Sequence, residues 1–173
     1  MRGDAALTAR LLLRGPGLAG VVVTLGGALA ALAATRPWYV ATAELSMLDD
    51  QQSRTVTALA GLPETVLGWV ALALGLTAAV LGANLALDRP HPHARTLLLS
   101  TASSTFAVAV GAAVRRPALE RVAGPEAERL LELAGRLPAG VELTVSVRPG
   151  IGPILLGVAA VLIGGGALGF RDR

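Results

Sequence analysis

The stretch TVLGWVALALGLTAAVLGANLAL, residues 65–87, holds no charged side chain and is as long as a bilayer-crossing helix. Such a helix needs about 20 apolar residues, at about 1.5 Å rise, to cover a hydrocarbon core about 30 Å thick. Three further stretches match it: Leu18–Ala34, Leu97–Val114 and Ile151–Phe170, again without a charged residue. Leu, Ala, Val and Gly follow one another in them without strand-like alternation. A backbone in lipid must satisfy its own N–H and C=O groups, so these runs predict helices and not a barrel. The fold class expected is an all-α membrane protein. It is a four-transmembrane-helix bundle forming one domain over residues 1–173, with spans at about 16–35, 64–87, 96–114 and 151–170.

Composition agrees with this and narrows the chemistry. Apolar residues make up 53% of the 173, and a mean hydropathy of +0.63 leaves room for one compact unit. All fifteen basic residues are arginine. The sequence pI is near 10.9, but the arginines are scattered among acids with no basic helix or aromatic-basic surface, which excludes a nucleic-acid partner. The absence of cysteine removes disulfides, thiol catalysis and Cys-ligated zinc.

Four spans put both termini on one side. Arg2, Arg10, Arg14, Arg89, Arg95, Arg171 and Arg173 crowd the short segments of that side, whereas the arginines of 36–63 and 115–150 are spread out beside acids. Basic density near span ends predicts cytoplasmic N- and C-termini in a multi-pass plasma-membrane protein, with Arg115 and Arg116 pulling the other way. The first span also fits a signal peptide, since Arg10 and Arg14 precede an apolar stretch ending in small residues. Cleavage would leave three spans. The length of the run and the Gly26–Gly27 pair favour an uncleaved helix.

The two longer connections carry strand signals. Apolar and polar residues alternate from Val141 to Arg148, and Pro149–Gly150 close the run. Trp38–Leu45 and Arg54–Leu59 are rich in β-branched and aromatic residues around a polar turn at Asp49–Ser53. A lone hairpin is marginal, so the third strand is its natural partner. Leucines at 119, 130, 131, 133 and 137 suggest one or two short amphipathic helices, broken at Gly124–Pro125. The expectation is a small extracytoplasmic α+β cap built from 36–63 and 115–150.

Few residues could carry chemistry. His91 and His93 with Asp88 offer a metal reading, but two prolines extend this connection and no other His or Cys completes a site, so a solvated loop explains them better. Asp49 and Asp50 read more readily as a polar turn than as a cation site. The spans hold no Asp, Glu, Lys, Arg or His, the residues that mark proton relays and ion paths. An intramembrane polar cluster of Ser100, Ser103 and Ser104, with Asn84, is the nearest approach to a site, and helix-to-helix hydrogen bonding is its simpler reading. Small residues at four-residue spacing in Gly75/Ala79/Ala83, Ser103/Ala107/Gly111 and Gly165/Gly169 suit close helix packing, within the chain or between copies. Trp38, Tyr39 and Trp69 at span ends, with Arg36, read as interfacial anchors.

A first span ending in Thr35-Arg36-Pro37-Trp38, a strand-like Thr55–Gly61 leading through a proline into the second span, and two more spans resemble the actinobacterial tryptophan-associated (Trp-operon-associated) transmembrane proteins. The resemblance covers most of the length on few distinctive residues. It implies four spans and a genomic setting beside tryptophan biosynthesis, with no activity or site residues to carry over. The function expected is non-enzymatic and without a cofactor: a membrane protein whose cap meets a protein partner, the envelope or another copy, with the lipid bilayer as its surroundings. The alternative is a small permease or transporter accessory for a small, aromatic metabolite.

Overall fold

The computed structural model describes residues 15–47, 50–62, 65–87, 89, 92–115, 129, 132, 135 and 141–169. Four helices carry most of the described residues: α1 (Gly15–Ala34), α2 (Val66–Ala86), α3 (Ala94–Val114) and α4 (Ile151–Gly169). Each is long and apolar enough to cross a membrane, and each bound falls within two residues of the span read from the sequence. Three strands complete the fold: β1 (Pro37–Met47), β2 (Asp50–Ala60) and β3 (Val141–Pro149). They form one antiparallel sheet in the order β2-β1-β3. The cap helices expected between 117 and 137 lie largely outside the described residues.

The hairpin is tighter than its composition suggests. Met47 pairs with Asp50, so only residues 48 and 49 connect the strands, and Asp50-Gln51-Gln52-Ser53 belong to β2 instead of a turn. Polar residues signal a turn where the backbone must reach water; the outer strand of a small sheet accommodates the same residues. β3 lies antiparallel along the other side of β1, as the alternation of 141–148 implied.

The helices run alternately toward and away from the sheet, because α1 leads into β1, β2 leads into α2, and β3 leads into α4. Packing is densest between α1 and α2, then α1 and α4, then α3 and α4. The α1–α2 seam is made by glycines seven residues apart, Gly20 and Gly27 facing Gly82 and Gly75. A Cβ on Gly27 would lie 2.6 Å from the Gly75 carbonyl oxygen, and one on Gly75 would lie 2.8 Å from that of Gly27. The backbones touch directly, the geometry that small residues permit in membrane helices. Across the α1–α4 seam, Ile163 fills the space over Gly26 and Val23 the space over Gly166. The core is built of alanines around a few larger side chains: Trp38, Leu98, Leu156, Ile163 and Val23. Outward faces are apolar as well, with Leu25, Leu76, Val80, Ile154, Val161 and Leu168 all exposed. Water is a poor solvent for such a surface and hydrocarbon a good one.

Thr65 starts α2. Its hydroxyl donates to the Gly61 carbonyl at 2.7 Å and accepts from the Gly68 amide at 3.0 Å, satisfying an amide that the first helical turn leaves unpaired.

Candidate functional site

The sheet and the bundle meet around Trp38, which is fully buried. Its indole Nε1 donates to the Ala33 carbonyl at 2.9 Å, turning the ring back over the end of α1. Room for the ring is made by two glycines distant in sequence. A Cβ on Gly61 would collide with the Ala34 carbonyl and the indole Nε1, and one on Gly152 would collide with indole Cδ1. Gly150, the one residue between β3 and α4, lies against Pro37 and donates its amide to the Trp38 carbonyl at 2.8 Å. An anchor at a lipid interface stands in headgroups; Trp38 sits instead inside the protein and ties α1, α4 and the sheet together.

Tyr39 is likewise buried, against the expectation of an anchor. Its hydroxyl donates to the Ala112 carbonyl at 3.0 Å, capping one of the last carbonyls of α3 that lack an intrahelical partner. Burial raises the Tyr39 pKa above the usual phenol value, and the positive charge of Arg115 partly offsets the rise. Arg36 and Trp69 are both exposed, Trp69 at 55%.

Beside Tyr39 lies a cleft of about 310 Å³, lined by Tyr39, Ala113, Arg115, Ser146, Val147, Arg148 and Pro149. Arg148 projects from β3 and its Nη2 meets Glu44 Oε1 at 2.6 Å on an exposed face. The Ser146 and Thr42 hydroxyls sit 3.0 Å apart across β1 and β3. No carboxylate appears among the described lining residues.

The polar residues of the spans do not converge. Ser100, Ser103, Ser104 and Asn84 are all exposed on the outside of the bundle. Among the described residues, the buried hydroxyls belong to Thr101 and Thr105. They donate to their own helix, at 2.8 Å to the Leu97 carbonyl and 2.7 Å to the Thr101 carbonyl, and so bring no free polar group to the core. Of the small-residue stripes, Gly75 and Ala79 pack against α1, while Gly111, Gly165 and Gly169 have open space at their Cβ positions. His93 forms the N-terminal boundary of α3 and its carbonyl accepts from the Leu97 amide at 3.0 Å; Asp88, His91 and Asp49 lie outside the described residues.

In the sequence Arg115 bears on orientation only, and Arg148 is one polar position in an alternating strand. What brings them to one cleft is the pairing of β3 with β1, which sets Arg148 opposite Val40. Compared with known protein families and with curated proteins, the chain matches none.

Proposed function

We propose that this chain is a non-enzymatic, multi-pass protein of the plasma membrane that holds its three-stranded sheet at the extracytoplasmic surface for contact with a protein partner, the envelope or a second copy of itself. The observation that carries the reading is the joint at Trp38. β1 leaves α1 after only Thr35 and Arg36, β3 enters α4 through Gly150 alone, and the buried indole fills the corner between them. A sheet fixed this way cannot swing on a tether; it presents its outer strands, β2 and β3, at a set height and angle. Orientation rests on the arginine density of the N-terminal segment and of Arg89 and Arg95, which favours the cytoplasm for that end. A link to tryptophan metabolism rests on the resemblance to the tryptophan-associated proteins.

The transporter alternative loses its footing in a single copy, because Ser100, Ser103, Ser104 and Asn84 face outward and glycine-tight seams fill the interior. It would need an oligomer whose subunits bring those faces together.

Single cysteines in this cysteine-free chain test the proposal. S53C in β2 and G135C should react with an impermeant maleimide in intact cells, and P92C only after permeabilisation. A photo-crosslinker at Gln52 should yield a discrete adduct in native membranes. Reversed labelling overturns the orientation, and a crosslinker that yields only monomer overturns the docking role.

A further inference from the structure

The sheet has two outer edges, and they differ. β2 holds an extra residue against β1, because Ala41 pairs with Thr57 and Thr42 with Thr55, leaving Val56 as a bulge. A bulge twists an edge away from further pairing. β3 runs beside β1 in unbroken register from Val141 to Pro149, and among the described residues no strand pairs its far side. Which backbone groups stand on that side follows from one bond. The Gly150 amide donates to the Trp38 carbonyl at 2.8 Å, which makes Trp38 and Gly150 a hydrogen-bonded pair, and such pairs recur at every second residue of an antiparallel ladder. Arg148, Ser146 and Thr144 therefore direct their backbone groups at β1, whereas Val147, Val145 and Leu143 direct theirs outward. Pro149, which has no N–H to offer, falls at an outward position.

The sequence of β3, VELTVSVRP over Val141–Pro149, complements itself in reverse. Laid antiparallel about Val145, Leu143 meets Val147, Thr144 meets Ser146, and Glu142 meets Arg148. Val145 and the Leu143–Val147 pair take hydrogen-bonded positions. Glu142 and Arg148 take the non-hydrogen-bonded ones, where facing side chains come closest and opposite charges attract. Arg148 is 62% exposed and gives one nitrogen to Glu44, out of the five N–H donors that a guanidinium carries. The faces of the sheet agree with this pairing. Tyr39, Ala41, Leu59 and Val147 share the face that packs on Ala109 and Ala112 of α3, while Thr42, Glu44, Ser146 and Arg148 share the other. A two-fold axis perpendicular to the sheet keeps the packed face on the same side in both copies, as two copies inserted alike in one membrane require. The two Pro149 residues are then as far apart as the ends of one strand, about 27 Å at about 3.4 Å per residue. That exceeds two helix diameters of about 10–12 Å, so the bundles stand side by side.

We propose that β3 pairs antiparallel with β3 of a second copy, joining the two sheets across a two-fold axis at Val145. The pairing names the partner within the docking role proposed above and rests on that role.

Disulfide crosslinking of the full, cysteine-free chain in native membranes tests it. Val145 meets its own copy at about 5.5 Å between Cα atoms, inside the roughly 4.4–6.8 Å that a disulfide spans. V145C should therefore give a covalent dimer on mild oxidation with copper phenanthroline. L143C and V147C should each stay monomeric alone and crosslink when co-expressed. V145P removes an N–H that the single copy leaves unused, so it should keep the circular dichroism of wild type and lose the dimer. Charge reversal offers a gain that misfolding cannot imitate. E142R and R148E should each weaken dimerisation about tenfold, because like charges then meet twice. Mixing the two chains should restore it, since both cross-strand pairs again carry opposite charges. V145C that stays monomeric, V147C that crosslinks alone, or reversed charges that fail to recover on mixing overturns the pairing. The crosslinker at Gln52 judges the docking role separately: an adduct with a different protein there, beside monomeric V145C, sinks the self-pairing and leaves that role standing.

Discussion

Replacing Trp38 with alanine removes the side chain on which sheet and bundle converge. The indole is fully buried, and part of its wall is backbone: the Ala33 carbonyl, Gly61 and Gly152. Walls made of glycine and carbonyl groups collapse poorly, so most of the vacated volume remains. A residual void on the order of 100 Å³ at about 24 cal/mol per Å³ costs roughly 2.4 kcal/mol. Loss of the Nε1 hydrogen bond adds about 1 kcal/mol. Transfer of the indole adds little, because an unfolded chain in a bilayer already lodges tryptophan at the interface. W38A should therefore lose roughly 3 kcal/mol. W38F separates the two effects. It keeps most of the volume, and the Ala33 carbonyl is not orphaned, since it also accepts from the Arg36 amide at 3.2 Å. Its loss should stay near 1 kcal/mol. Equilibrium unfolding in mixed micelles, followed by circular dichroism, measures both. If W38A lies within about 0.5 kcal/mol of wild type, the range of an ordinary surface substitution, Trp38 is an interfacial anchor after all and the account of the joint fails.

The two tryptophans can be read separately in bilayers of brominated lipid: Trp69 in W38F should be strongly quenched, Trp38 in W69F spared, and equal quenching would contradict the burial of Trp38. G27L and G75L should each part α1 from α2 and abolish recovery of folded protein, because a Cβ at either position already meets backbone. G111A, at a helix position with open space, should stabilise by up to about 1 kcal/mol; similar losses at all three would refute the seam. Tyr39 is the only tyrosine, so ultraviolet absorbance of the phenolate reports it alone and should show titration above the ordinary pKa of 10.0. Because the folded pKa is raised, its contribution to stability is whole below pH about 10 and declines as pH climbs through the folded value; R115Q should push the titration higher still. Titration at or below the ordinary value would mean that Tyr39 is not buried.

The helices were legible in the sequence because a charge-free run of bilayer length leaves few alternatives, and β3 was legible because eight residues of strict alternation mark a half-buried strand. Trp38 was misread for a physical reason. A tryptophan just past an apolar run looks interfacial by local context, and its burial depends on Gly61 and Gly152, which lie far along the chain. The hairpin tip was misplaced because Asp50–Ser53 have turn composition but strand pairing. The α1–α2 seam does leave a signal, glycines seven residues apart at 20 and 27 and at 75 and 82, a spacing distinct from the four-residue one. The serines of α3 share a face, as their spacing requires, but spacing does not say which face turns inward, and here alanines and threonines take it.

The middle strand of the sheet has a consequence for synthesis. β1 is made early, yet its partner β3 follows about a hundred residues later, after α2 and α3, since Tyr39 pairs with Pro149 and Met47 with Val141. While the ribosome works through the second and third helices, one edge of β1 carries bare N–H and C=O groups with nothing to pair them, the condition in which strands join the wrong neighbour. The sheet can close only once β3, Val141–Pro149, has been made. A nascent chain stalled before residue 141 is thus left with an open hairpin, and truncation at that point should mark the protein for proteolysis even though three of its helices are already in place.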